Sequence, residues 1–138
     1  MPSLKPSGGG STEWAERSAG VDDELDKLVT SWLPLPDVAE VLGLDVGRVR
    51  RLLQDRVLVA VRRGEPGVLC VPEELVTGGV PLPDLKGTLT VLSDSGYTDE
   101  ESLRWLFTPD DTLPGTPVAN LRSGRKTEVR RRAQALAF

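Results

Sequence analysis

A chain of 138 residues with 38% apolar side chains and a net charge of −4 is long enough for one domain or two small ones around a buried core. It holds one cysteine and no histidine, which excludes an internal disulfide, zinc fingers, and Ser-His-Asp or Cys-His catalysis. No apolar run approaches the ~20 residues of a membrane span and the polar start lacks a signal-peptide core, so a cytoplasmic chain with no metal and no cofactor is expected.

The charge is unevenly spread. Residues 1–31 carry −3, residues 32–72 carry +1, residues 73–111 carry −7 and residues 112–138 carry +5. The overall acidity is therefore a poor guide to any one face. Residues 1–20, with Gly8-Gly9-Gly10 and few apolar groups, read as a disordered tail. Ser3, Ser7, Ser11, Thr12 and Ser18 could accept phosphate there, and the added charge could tune binding elsewhere by repulsion. From Val21 to Trp32 the apolar residues Leu25, Leu28, Val29 and Trp32 fall at i, i+3, i+4 and i+7, which predicts an amphipathic helix. Asp22, Asp23 and Glu24 suit its first turn, and Pro34 and Pro36 stop it.

The next stretch organises the chain. Val38, Ala39 and Leu42 sit at helical spacing, with Pro36 fit for a first helical position. Gly43 interrupts the pattern where a sharp turn needs φ > 0. Leu44 follows as an apolar plug, and Asp45 as an N-cap for a second helix over 45–54. That helix buries Val49, Leu52 and Leu53, and leaves Gly47, Arg48, Arg50, Arg51 and Gln54 outside. Small Ala39, turning Gly43 and β-branched Val49 at these intervals predict a helix-turn-helix whose second helix can enter a DNA major groove. Val57–Val61 and Gly67–Val71 then read as two strands, joined by Arg62-Arg63-Gly64-Glu65-Pro66 with hairpin chemistry. A hairpin directly after a recognition helix is a wing, and Arg62 and Arg63 could reach phosphate from it. Cys70 reads as a small apolar strand residue. Pro72–Leu75 looks like a short helical start that closes the wing.

Here a resemblance emerges. Leu35-Pro-Asp-Val-Ala-Glu-Val-Leu-Gly, then Val49-Arg-Arg-Leu-Leu, Leu58-Val-Ala-Val-Arg-Arg and Val71-Pro-Glu-Glu-Leu are similar to the excisionase and MerR-like winged helix-turn-helix class. Asp45, Val46 and Gly47 depart from it, where such proteins often carry Ser and longer polar residues.

A Gly/Pro-rich connector over 76–84 leads to a second helical unit. Leu85, Leu89 and Leu92 form one stripe, ending near Gly96. Thr98-Asp-Glu-Glu101 is a capping box, and Leu103, Leu106 and Phe107, with Trp105 beside them, form the stripe of the helix it opens, which Pro109 ends. Thr116-Pro117 starts a short helix that Gly124 terminates, and a last helix over Thr127–Ala137 buries Val129, Ala133 and Leu136. Leu103-Arg-Trp-Leu-Phe-Thr-Pro-Asp-Asp, Leu113-Pro-Gly-Thr-Pro-Val-Ala-Asn-Leu-Arg-Ser-Gly and Glu128-Val-Arg-Arg-Arg-Ala-Gln-Ala-Leu resemble the C-terminal domain of an actinobacterial DNA-binding family. That family joins a winged helix-turn-helix to this helical domain, and the likeness covers residues 22–138. It implies double-stranded DNA as partner, a nucleoid-associated location and a serine/threonine kinase acting on the tail. The C-terminal third also resembles the toxin-binding domain of Xre/ParS-type antitoxins, which implies a protein partner or self-association.

No arrangement points to catalysis. Gly124-Arg-Lys-Thr127 lacks the glycines and the preceding strand of a phosphate loop. Asp99-Glu100-Glu101 is explained by capping and Asp110-Asp111 by a solvated turn. Of Arg130, Arg131 and Arg132, two are expected in solvent, the third extending a cationic surface or pairing with the acidic middle segment. The fold expected is mainly α, α+β by its wing: a tail (1–20), a winged helix-turn-helix (21–78) and a small C-terminal helical domain (79–138). The function expected is a DNA-binding transcriptional regulator, not an enzyme, with helix 45–54 in the major groove and wing 57–71 on the backbone. Arg48, Arg50, Arg51, Gly47, Gln54, Arg62 and Arg63 are its contact residues, with four to six phosphate contacts. The alternative is a protein-interaction or scaffold module without sequence-specific reading.

Overall fold

The computed structural model of the chain describes residues 25–64 and 67–136. Its helical residues 25–28 (α1) lead into β1 (Trp32–Pro34), α2 (Leu35–Leu42), α3 (Val46–Gln54), β2 (Val61–Arg63) and β3 (Val68–Pro72). A 3-10 turn at Glu73–Leu75 follows, then α4 (Leu85–Asp94), α5 (Asp99–Leu106), α6 (Pro117–Arg122) and α7 (Lys126–Ala135). This is a winged helix-turn-helix followed by a helical C-terminal region. The expected tail over 1–20 and the acidic first turn at 22–24 lie outside the described residues.

The helix expected to reach Trp32 stops short. Val29 still donates to the Leu25 carbonyl at 2.8 Å, but Trp32–Pro34 run extended and pair antiparallel with β3, Leu33 opposite Val71 and Pro34 opposite Cys70. Leu33 precedes a proline, which disfavours the helical backbone, and a strand partner some 40 residues away takes the freed peptide groups. Periodicity along Leu25–Trp32 could not see that partner. β3 is thereby the central strand, in the order β1-β3-β2.

The wing is also shorter at its first strand than the β-branched run 57–61 suggested. Arg56 takes a left-handed backbone (φ 63°) as the chain leaves α3, and the Val57 and Leu58 amides both donate to the Leu52 carbonyl, at 2.9 and 3.3 Å. These residues thus finish the helix. Leu58 and Val59 are consecutive and both buried, which no two-faced strand allows. Pairing begins only at Val61, which faces Cys70, with Arg63 opposite Val68.

The C-terminal helices start and stop where their caps demand. The Thr98 hydroxyl accepts from the Glu101 amide at 3.1 Å and Glu101 accepts from the Thr98 amide at 2.9 Å, completing the capping box of α5. Thr116 caps α6 through the Ala119 amide at 3.1 Å. The last helix begins at Lys126 and ends at Ala135, and Leu136 is half-buried, not buried.

One hydrophobic core runs through both halves, from Leu25, Val38 and Val49 through Leu58, Leu75 and Leu82 to Leu89, Leu103, Leu121 and Val129. Between them, the Leu82 amide donates to the Leu75 carbonyl at 2.8 Å. An ion pair, Arg56 to Asp99 at 3.0 Å, ties the exit of α3 to the first turn of α5. Helix α3 is thus mounted on the C-terminal region, not merely linked to it.

Candidate nucleic-acid interface

The elbow between α2 and α3 is set by local hydrogen bonding. Gly43 closes α2 in the left-handed region (φ 70°), its amide donating to Glu40 at 3.3 Å, while the Leu44 amide donates to Ala39 at 2.9 Å. Asp45 caps α3, its carboxylate accepting from the Arg48 amide at 2.8 Å. Val49 is fully buried between the helices, whereas Leu42, Leu52 and Leu53 are half-buried. Anchoring α3 on Val49 turns Gly47, Arg48, Arg50, Arg51 and Gln54 to solvent, and all five are exposed.

The cations on this face are weakly committed. Arg48 and Arg50 make no side-chain hydrogen bond or ion pair with another described residue. Arg51 lies 3.6 Å from Asp55 one turn on, but its side chain is still 75% exposed, an arrangement worth a few tenths of a kcal/mol. On the wing the two arginines part company. Arg62 is exposed and donates to the Gly67 carbonyl at 3.2 Å across the hairpin turn. Arg63 turns inward: its side chain is 14% exposed, ion-paired to Asp26, with its guanidinium 4.7 Å from the centre of the Trp32 ring. β1 and β2 flank β3, so this contact spans the sheet and fastens the wing to the start of the domain. Cys70, at the same root, is buried, and burial pushes its thiol pKa up although Arg63 opposes the shift, so it is a packing residue.

The segment match follows this architecture. Residues 21–76 match the family described as DNA-binding protein Rv2175c, wHTH domain, and residues 82–137 match the Rv2175c C-terminal domain of unknown function. The DNA-binding protein Rv2175c of Mycobacterium tuberculosis (strain ATCC 25618 / H37Rv) is 42% identical over 130 residues, covering 85% of this chain and 87% of that protein. The chain belongs to the Rv2175c family. The NMR structure of Rv2175c superposes with a TM-score of 0.69 at 40% identity, over 78% of this chain and 82% of that one. The resemblance carried by Leu103–Asp111 and Leu113–Gly124 thus leads to the Rv2175c family, which is a DNA-binding winged-helix family and not an enzyme family.

Within this Rv2175c-family fold the structure brings Gly47, Arg48, Arg50, Arg51 and Gln54 onto one helix, and sets Arg62 on the adjoining wing. It places Arg63 apart from them. Reading the sequence alone missed Arg56, whose positive φ and pairing with Asp99 have no local signal, and missed Leu44 and Leu52 as surface features. No helix among the described residues is long and apolar enough to cross a membrane, and no cluster of His, Cys, Asp or Glu there could hold a metal ion.

Proposed function

We propose that this chain binds double-stranded DNA as a transcriptional regulator, with α3 in the major groove and the wing against the backbone. The observation that carries this reading is the exposed face of α3: three arginines within four residues, two of them without a side-chain partner among the described residues. Such cations gain most from phosphate and base edges, because they lose no internal contact on binding. Arg48, Arg50 and Arg51 are assigned to groove contacts, at least one reading guanine, with Gly47 allowing close approach and Gln54 at the far end. Arg62 is assigned to backbone phosphate. Arg63, also a proposed contact on sequence grounds, is better used as the fastener of the wing. With about three phosphate contacts left to these cations, affinity should fall roughly as the second to third power of salt concentration. The name of the mycobacterial relative supports the DNA partner. A nucleoid location follows from the same reading, and phosphorylation of the serine- and threonine-bearing residues 1–20 by a kinase would weaken binding by repulsion.

The test is an anisotropy titration of labelled duplex with Arg50→Ala plus Arg51→Ala. Binding should weaken at least about tenfold while the thermal melt and circular dichroism stay those of the parent. Unchanged affinity would overturn the groove assignment and leave the interaction-module reading, in which α3 is a scaffold.

A further inference from the structure

Leu44, Gly47, Arg48, Arg51 and Leu52 line an open concavity of about 460 Å³ on the outer side of the elbow. Its walls are mostly hydrocarbon, because Leu44 and Leu52 are only half covered by the packing of α2 on α3. Gly47 gives its floor only backbone, and a Cβ there would meet the capping Asp45 carboxylate at 3.2 Å. Gly47 has an ordinary helical backbone, so the turn does not require glycine there, and glycine inside a helix is the unfavourable choice. Arg48 and Arg51 complete its lining, both exposed. An apolar notch with a cationic rim, on the first turns of a helix aimed at a groove, has a natural complement in the major-groove edge of DNA. Among the four unmodified bases only thymine presents a methyl group there, and a neighbouring guanine offers O6 and N7 to an arginine.

Resting on the DNA-binding reading above, the geometry points to a thymine-reading notch: Leu44 and Leu52 hold the C5-methyl over Gly47, and Arg48 or Arg51 contacts the adjacent guanine. Specificity then comes partly from shape. This accounts for a recognition helix that opens with Asp45, Val46 and Gly47, which give bases little to hydrogen-bond.

The experiment alters the DNA, so the protein's fold is untouched. Preferred duplexes are first selected from a random pool with the full chain. Each thymine of the best duplex is then replaced in turn by deoxyuridine, which removes only the methyl. One replacement should weaken binding about three- to tenfold, and a 5-methylcytosine·guanine pair at that position should bind better than an unmethylated one. Gly47→Ser, which adds a side chain at the floor of the notch beside the Asp45 carboxylate, should bring the thymine-to-deoxyuridine affinity ratio to about one. The ratio is read within one variant, so a general loss of affinity cancels. A preferred duplex whose thymines can all be replaced without effect would overturn the notch and leave DNA binding standing. A methyl effect that survives in Gly47→Ser, or a pool with no preferred sequence, also overturns it. Failure to bind any duplex would overturn the DNA-binding reading with it.

Discussion

The two halves of this molecule both carry clustered cations and use them in opposite ways. In the helix-turn-helix half, Arg48, Arg50, Arg51 and Arg62 point outward and keep at most one short-range partner each. In the C-terminal half most of the cations keep a partner on the fold, although Arg122, Arg125, Lys126 and Arg131 remain exposed. Arg122 reaches Glu74, Lys126 lies 3.5 Å from Asp84, Arg125 donates to the Asn120 side chain at 3.3 Å, and Arg132 donates to Thr112 at 2.6 Å. Arg130 packs its guanidinium against Gly87 of α4 so closely that a Cβ there would clash with Nη2. Of the six cations of residues 112–138, Arg122 and Lys126 are answered by acids of residues 73–111, and Arg125 and Arg132 by neutral acceptors within their own half. The +1 of residues 32–72 understates what that segment displays, because acids such as Asp45 are occupied in capping. Charge available to a partner is a property of faces, not of segments.

The widest separation between the halves should appear in DNA affinity. Arg50→Ala plus Arg51→Ala removes two contacts and should lower the salt slope by about two. Arg131→Ala plus Arg132→Ala, the same charge removed from α7, should leave both affinity and slope within about twofold of the parent. Equal losses from the two pairs, in anisotropy titrations at several salt concentrations, would break the comparison and place α7 on the DNA.

Next in size is a contrast inside the wing. Arg63→Ala gives up the Trp32 face, the Asp26 pair and a packed hydrocarbon stem, and should cost about 1–2 kcal/mol in urea denaturation. Arg62→Ala, one residue earlier and exposed, should cost less than about 0.5 kcal/mol while weakening DNA binding. A stability loss of similar size for both would show that the inward and outward roles are not distinct.

A smaller effect is expected at the join. Asp99→Asn removes the Arg56 ion pair and a first-turn carboxylate of α5, both partly exposed, and should cost about 0.5–1 kcal/mol. Arg56→Gly loses the same pair but relieves a left-handed residue, so its net change should be nearer zero. If Arg56→Gly is the worse of the two, the pair matters more than the backbone geometry it fixes.

These contrasts also show what a reader of the sequence could and could not see. The elbow was legible because its determinants are local: Gly43 at the turn, Asp45 at the cap, Val49 at the crossing. The capping box at Thr98–Glu101 and the Thr116 cap were legible for the same reason. What failed was non-local. Trp32 fitted a helical stripe until β3 supplied a strand to pair with. Arg62 and Arg63 are adjacent and chemically identical, and only the presence of Trp32 and Asp26 on neighbouring elements decides which turns inward. Leu58 and Val59 looked like strand residues, but the cap of α3 holds the chain in a bend there. The notch at Gly47 was half visible: the missing side chain could be read, but not the exposure of Leu44 and Leu52 beside it.

The smallest effect tests how the C-terminal half retains its cations. The hydroxyl and amide of Thr112 both donate to Asp110, whose carboxyl they hold below the ordinary carboxylate range, with a smaller contribution from Arg132. A lowered native value means the folded state prefers the ionised form. The stabilisation is therefore complete above the ordinary carboxylate range and is lost as pH falls through the lowered value. Thr112→Val removes the hydroxyl bond and with it the acceptor that holds Arg132. The Asp110 carboxyl, followed by NMR, should then titrate at higher pH. The stability advantage of the parent at neutral pH should shrink on acidification and disappear once Asp110 is protonated in both proteins. Asp110 lies half-buried in a surface turn, where solvent screens the interaction, so the difference should be small, and an Asp110 titration that does not move would remove this link. Because Arg132 then loses an internal partner without gaining a place beside α3, DNA affinity at neutral pH should stay as it was. A gain in affinity would show that α7 lies within reach of the duplex and is kept from it only by this turn.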